Sequence, residues 1–536
     1  MSKPFRRRHD SADLEIEVDG VNIPARTGES AAAAMLAAGI AAFGTDPKGA
    51  PRGPACMMGA CFQCACTIDD VPDARACRTA VAPGMRISTT PARGPQRPAQ
   101  IPVEIESDVA VVGAGPAGGA CALALAAEGL RVTLIDDNAA AGGQIWRKRF
   151  DAEQGGGAWL RTRLAATKDR IDHRAGYEVL GRGIDGALML ADRDGRGAIS
   201  HARHLVIASG ALEVSNPVPG WTLPGVVNLG ALQILAKADG VVPDGPVLLA
   251  GAGPLLYVVA HDLVVSGARP VAVIDAAPWP SIDVLKALWT APGLLGQAVK
   301  YELKLRTARV PILRKTRIER IERMGEMLRV AATGDRSFDV AVVGTSLGLR
   351  PNVELAAQAG VSLAHDPLLG GWHAQVDAQG TTSCDGIYAI GETRGIGGVE
   401  AALCDGVIAA AAIVESEGRI PSTELARAAS AARERRAKFM HAAREMANWS
   451  RVAIPDGDAA AIVCRCEAVT RGEISRAAEM GLSGPREAKL ATRAGMGFCQ
   501  GRTCHPAVQA AIGADEPPSY RFPLRPVRAD AFGAHR

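Results

Sequence analysis

The chain has 536 residues, far more than one hydrophobic core needs, so three to five domains are expected. Its formal charge of +3 and its 4% aromatic content give no basic footprint and disfavour a base-stacking platform, so no nucleic-acid partner is expected. No apolar run reaches about 18 residues, which argues against a transmembrane helix, and no apolar stretch follows the basic start MSKPFRRRHD, so a cytoplasmic location is expected.

In chain order, residues 13–26 (DLEIEVDGVNIPAR) predict a β-hairpin turning at Asp19-Gly20. An alanine-rich helix over about 29–40 follows, then the cysteine loop GPACMMGACFQCACTID (53–69) and a short strand around 85–87. Together they define a domain over 1–92. Residues 91–102 hold four prolines without periodicity and predict a linker, bounded at 93–104. From 105 the pattern is strand, glycine-rich turn, helix, strand, and a second such unit starts at Gly245. The pattern reads as one nucleotide-binding domain (105–220 and 346–415) interrupted by another (221–345). A polar helical segment (416–455) follows, expected to be a solvated link. A cysteine-bearing helical domain (456–515) and a tail (516–536) complete the chain.

Cys56, Cys61 and Cys64 have C-x4-C-x2-C spacing, and Cys77 follows in RACRT. This is the plant-type 2Fe–2S arrangement, three thiolates from one loop and a fourth from further on. Zinc is the alternative that four cysteines also allow, but the spacing and the hairpin before it favour iron–sulfur. Cys66 alternates with Cys64 along a strand and is expected to pack as a small hydrophobe.

Gly113, Ala114, Gly115, Pro116, Ala117 and Gly118 form a GxGxxG turn between a strand and a helix. Gly113 permits the tight turn, Gly115 lets a pyrophosphate approach, and Gly118 lets helix and strand pack. Asp136, with Asp137 beside it, ends the next strand, where a carboxylate can accept hydrogen bonds from a ribose. The second unit reads Gly251-Ala252-Gly253-Pro254-Leu255-Leu256. Leucine in the third glycine position crowds the helix against the strand, so NAD or another nucleotide there is doubtful, although Asp275 would favour NAD over NADP.

Near the C-terminus, Cys464-x-Cys466 is followed by Cys499-x4-Cys504, with a capping box at Thr470 and Glu473 and a helix opened by His505-Pro506. Two thiolate pairs at helix starts suit a second anionic cluster, with zinc again the alternative. Arg493 and Arg502 could raise its potential.

Three further stretches carry a resemblance. GGQIWR (142–147, with Gly143 and Gln144), LVIASGALE (205–213) and GIYAIGETRG (386–395, with Gly391 and Glu392) resemble the flavin-binding loops of two-dinucleotide flavoproteins. This implies FAD in the first unit, with Glu392 where the family usually has Asp. Residues 105–410 resemble the pyridine nucleotide-disulfide oxidoreductases. GWTLPGV (220–226), SLGLRPNVEL (346–355) and CRCEAVTRGEI…TRAGMGFCQGRTC (464–504) narrow the likeness. They resemble the alpha subunits of heteromeric amine dehydrogenases: opine oxidase, hydrogen cyanide synthase, D-hydroxyproline dehydrogenase and sarcosine oxidase.

That resemblance implies an α/β multidomain flavoprotein flanked by an N-terminal β-grasp 2Fe–2S domain and a C-terminal helical BFD-like 2Fe–2S domain. It also implies a partner beta subunit with its own FAD, which takes a hydride from an amine, and an electron acceptor such as a quinone or a carrier. No residue of this chain is assigned a catalytic role. A self-contained NAD(P)H-dependent ferredoxin-type reductase and an iron-handling module are the rival readings.

Overall fold

The computed structural model describes residues 3–9, 12–90, 101–151, 155–482 and 484–532. Residues 91–100 of the expected linker lie outside these, as do the first and last few residues of the chain.

The central domain is built on a seven-stranded sheet. Ile171–Ala175, Val132–Asp136, Val103–Val112 and Gly197–Ile207 lie side by side in parallel, and Ile387–Ala389 pairs in parallel with the end of Gly197–Ile207. Parallel strands covered on both faces read as near-continuous apolar runs, and Val109, Val111 and Leu134 are accordingly fully buried. Two antiparallel strands, Leu188–Ala191 and Glu178–Arg182, extend one edge.

The second unit is a five-stranded parallel sheet. Its order is Val226–Asn228, Val342–Ser346, Pro246–Gly251, Arg269–Asp275, Ile312–Arg314. The chain enters it after Ala211–Glu213 and leaves it into Leu349–Pro351, and these two strands pair antiparallel. One nucleotide-binding fold is thus inserted in the other through a two-stranded neck.

The N-terminal hairpin forms as expected, Leu14–Val18 against Val21–Ala25, with Asp19 and Gly20 both at positive φ. It belongs to a five-stranded sheet over the helix Ala31–Ala37, every residue of which is buried. Five of the seven side chains are alanine, which lets the helix be covered on every face. One strand was not expected: Phe5–Arg7 pairs antiparallel with Val241–Pro243 and straps the N-terminus onto the second unit, with Phe5 fully buried. The segment is three residues long, too short for any periodicity to reveal.

The expected solvated link is more than that. Helix Thr423–Ser450 buries Leu425, Ala429, Ala432 and Ala442, and Leu425 and Ala429 join the same apolar cluster as the preceding helix, Gly398–Ser416. The C-terminal domain holds helices Arg471–Glu479, Pro485–Thr492 and His505–Ile512, the first opened by a complete Thr470–Glu473 capping box. The segment beyond 515 folds back. Leu524 enters the central domain's core, and its N–H donates to Leu180 O at 2.7 Å. Among the described residues no helix is long and apolar enough to cross a membrane.

Candidate functional site

The glycine turn is shaped by contacts that exclude side chains. A Cβ on Gly113 would stand 2.2 Å from Ala208 O, and one on Gly118 would stand 1.9 Å from Gly113 O. Gly113 also sits at φ +108°, which only glycine adopts without strain. Pro116 opens the helix Pro116–Ala127 behind Gly115. Gly143 faces the turn, and a Cβ there would stand 3.0 Å from Gly115 Cα, so two backbone-only walls oppose each other as a pyrophosphate requires. Gly391 closes the same corner, where a Cβ would meet Ala117 Cβ at 2.8 Å. Its N–H donates to Asp405 Oδ2 at 3.1 Å, and Arg394 and Arg436 both donate to Asp405 Oδ1. The three flavin-type stretches of the sequence therefore converge, and the residues present fit FAD.

The two acids after the second strand divide their work. Asp136 is buried and turned inward: Ala114 N–H donates to Oδ2 (2.6 Å), and Asn138 donates to Oδ1 from its backbone and its side chain (both 2.7 Å). It braces the glycine turn. Asp137 is more open and pairs with Arg78 at 3.3 Å. Burial raises the Asp137 carboxyl, but the Arg78 and Arg75 guanidiniums outweigh that and hold it below the usual range. Burial pushes the Glu392 carboxyl up, and Gln144 is exposed, accepting a hydrogen bond from Arg147 at 2.6 Å.

In the N-terminal loop, Cys56, Cys61, Cys64 and Cys77 are buried free thiols, paired two and two, Cys56 with Cys61 and Cys64 with Cys77. The Cys61 thiol, helped by the amides of Met58, Cys61 and Ala60, lowers Cys56 to about 6, while Cys61 is pushed up. Four clustered thiols and inward amides suit an anionic iron–sulfur cluster, which takes all four as thiolates. Cys66 behaves differently: burial raises it to about 12, and it lies in the domain's apolar core. Arg78, directly after Cys77, donates to Asn138 Oδ1 at 2.6 Å, and Arg75 pairs with Glu178. The segment of the fourth cysteine is thereby fixed against the residues that follow Asp136 and Asp137.

The C-terminal cysteines form one chain of contacts. Cys464 meets Cys466 and Cys504, and Cys466 Sγ lies 3.3 Å from Cys499 Sγ. The Cys466 and Cys504 thiols, with the Gly495 amide (N to Sγ 3.4 Å), lower Cys464 to about 3, and the Cys466 thiol lowers Cys499 to about 7. Among the described residues no three His, Cys, Asp or Glu side chains close round a single metal ion. The thiols are arranged as linked pairs, and their N–H···S contacts fit an iron–sulfur centre.

These two cysteine sets meet. Phe62 stacks on Phe498, and a small cavity is lined by Cys56, Cys61, Glu213, Trp221, Arg465 and Arg502. It lies at the neck between the two nucleotide-binding units. Sequence reasoning placed both sets but not their junction, since no local pattern records which surfaces dock. Nor did it single out Arg78, Asn138, Asp405 or Arg465.

The second unit's turn is occupied by its own side chains. Leu256 is fully buried, and Asp275, with no side-chain exposure, accepts from Tyr257 Oη, from Arg314 Nη1 (3.1 Å) and from Ala277 N–H (2.9 Å). Ser450, the last residue of the long helix, abuts Gly253.

Fold and cofactor-type corners together define a flavin oxidoreductase with an iron–sulfur domain at each end. Comparison with known sequences agrees. The pyridine nucleotide-disulphide oxidoreductase family matches residues 107–406, a 2Fe-2S iron-sulfur cluster binding domain 11–92, and a BFD-like 2Fe-2S binding domain 462–514. An opine oxidase subunit from Rhizobium meliloti (strain 1021) is 34% identical over 421 residues, 74% of this chain and 90% of that one. The HcnB subunit of hydrogen cyanide synthase from Pseudomonas aeruginosa is 31% identical over 455 residues, 79% of this chain and 97% of that one. The crystal structure of L-proline dehydrogenase from P. horikoshii shares the fold, with a TM-score of 0.74 over 99% of this chain and 100% of that chain at 19% identity. The chain belongs to the pyridine nucleotide-disulphide oxidoreductase family, whose fold implies FAD, and it carries two 2Fe–2S-binding domains.

Proposed function

We propose that this chain is the electron-transfer subunit of a heteromeric amine or imino-acid dehydrogenase, of the opine, D-hydroxyproline or glycine type, working in the cytoplasm. The observation that carries the reading is the contact between the two cysteine loops at the neck of a flavin-type fold. Its relatives are named as subunits, which supports a partner. That partner is an FAD-containing beta subunit that removes electrons from the amine, and the acceptor is a quinone or an electron carrier.

Bound FAD supplies two-electron chemistry that can also proceed in single-electron steps, and a 2Fe–2S cluster handles one electron at a time. The chain's own residues hold and orient. Gly113, Gly115, Pro116, Ala117 and Gly118, with Gly143, offer the pyrophosphate a backbone surface and a helix N-terminus. Asp136 keeps that turn in shape, Asp137 and Gln144 flank it, and Gly391 and Glu392 border the ribityl side. Cys56, Cys61, Cys64 and Cys77 ligate one cluster; Cys464, Cys466, Cys499 and Cys504 ligate the other.

Co-production with a candidate FAD-containing beta subunit, sought among the products of neighbouring genes, tests the reading. A complex that survives size exclusion, with flavin on both subunits and iron on this one, is expected. A chain that stays separate from that flavoprotein while retaining flavin and iron would overturn the proposal.

A further inference from the structure

Of the arginines near the C-terminal cysteines, the two that the sequence singled out each have a carboxylate partner, which Arg502 shares with Arg525. Arg493 is largely exposed and pairs with Glu467 at 2.8 Å, and Arg502 pairs with Glu354 at 2.6 Å. Arg465, between Cys464 and Cys466, differs from both. It is 5% exposed, and its guanidinium lies over the Trp221 ring at 5.4 Å. Its acceptors are the backbone oxygens of Trp221 (3.4 Å) and Thr222 (3.1 Å), and its Nε has no partner. Carbonyl oxygens are neutral, so the charge remains whole. Trp221 is itself anchored, its Nε1–H donating to Ile462 O at 2.6 Å.

Arg465 lines the same small cavity as Cys56 and Cys61. A buried charge is weakly screened. A cation beside an iron–sulfur centre favours its more negative, reduced form and so raises its potential.

We propose that Arg465 is a positioning charge shared by both cysteine sets, raising the reduction potentials of the two clusters together. This rests on the reading of two clusters given above. Each centre takes up one electron and no bond forms or breaks. By sitting at the junction, one residue shifts both potentials in the same sense and leaves the gap between them largely unchanged. Glu213 lines the same cavity and accepts from Gly230 N–H at 3.0 Å. Burial pushes its carboxyl up; among the described residues the cations on this cavity are Arg465, which has no carboxylate partner, and Arg502, which has one.

The test is an EPR-monitored redox titration of the isolated, iron-loaded full chain at pH 6, with dithionite and mediator dyes. Signals are assigned with the Cys77→Ser and Cys504→Ser variants. Arg465→Gln should lower both midpoints, each by about a tenfold change in equilibrium, ~59 mV for one electron. Arg465→Lys, which keeps the charge, should leave both near wild type. A fall at the C-terminal centre alone, no fall at either, or an equal fall at both in Arg465→Lys would overturn the proposal. If Arg465→Gln loses its iron, Arg465→Met takes its place: a fall at both centres supports the shared charge, and wild-type midpoints at both overturn it. No amine or partner is needed, so failure here leaves the subunit reading standing. That reading of the cofactors fails separately, if the wild-type chain shows a single EPR-active centre.

Discussion

Phe62 stacks on Phe498, ring centroids 6.1 Å apart and planes 24° from parallel. Phe62 directly follows Cys61, and Phe498 directly precedes Cys499. On its other side Phe62 carries the Arg75 guanidinium at 4.8 Å, and Lys48 of the N-terminal domain reaches Glu473 of the C-terminal one at 3.6 Å. Two cysteine loops more than 400 residues apart in the chain are thereby neighbours.

Neighbouring paramagnets interact. With both clusters reduced, the EPR spectrum of the wild-type chain should be broadened or split relative to the sum of the Cys77→Ser and Cys504→Ser spectra. A wild-type spectrum equal to that sum would mean the centres are far apart.

Among the described residues no thiol of one cysteine set contacts a thiol of the other, so the two should lose metal independently. Cys77→Ser is expected to remove about half of roughly four iron atoms per chain, and Cys504→Ser the other half. Cys66→Ala should leave the iron unchanged, since burial keeps that thiol protonated inside the apolar core. Inductively coupled plasma analysis of the three variants checks all of this, and zinc in either set would remove that half of the assignment.

NADH should bind the isolated chain weakly, with a Kd above ~1 mM. Tyr257 and Arg314 already hold Asp275, the acid a nucleotide ribose would need, and Leu256 fills the helix–strand contact. Rapid bleaching of the flavin by NADH in a stopped-flow experiment would instead favour a self-contained reductase.

Asp239 docks the N-terminal domain on the second unit by accepting the Ser30 N–H at 2.7 Å. Burial lifts its carboxyl from 3.8 to about 6 although the Ser30 amide pulls the other way. The folded chain therefore holds this proton more tightly than the unfolded one. The stabilisation is full below about 3.8 and is lost as pH rises through about 6. Asp239→Asn should be more stable than wild type at pH 7.5, by up to about 3 kcal/mol, and less so at pH 5. Melting curves at the two pH values check it: a wild-type-minus-variant gap that does not change with pH would contradict it.

Much of the fold was legible in the sequence because it rests on local rules. The Asp19-Gly20 turn, the Gly113–Gly118 turn and the Thr470–Glu473 box each need particular residues at fixed offsets, and each is where those residues stand. Docking leaves no such mark. Nothing near Phe5 signals Val241–Pro243, and nothing in CRCE signals Trp221 or Cys56. Asp136 shows an intermediate case. Its position was readable from strand length, but not its inward turn, which depends on Asn138 supplying a second donor.

On the proposed reading this chain passes electrons but does not itself take them from an amine. The most direct measurement is dye-linked turnover on a panel of opines, N-methyl amino acids, glycine and D-hydroxyproline, first with this chain alone and then with the FAD-containing partner found by co-production. Activity only with the pair is predicted, and in Cys61→Ser dye reduction should fall while substrate still reduces the partner's flavin. Robust turnover by the chain alone would contradict the account.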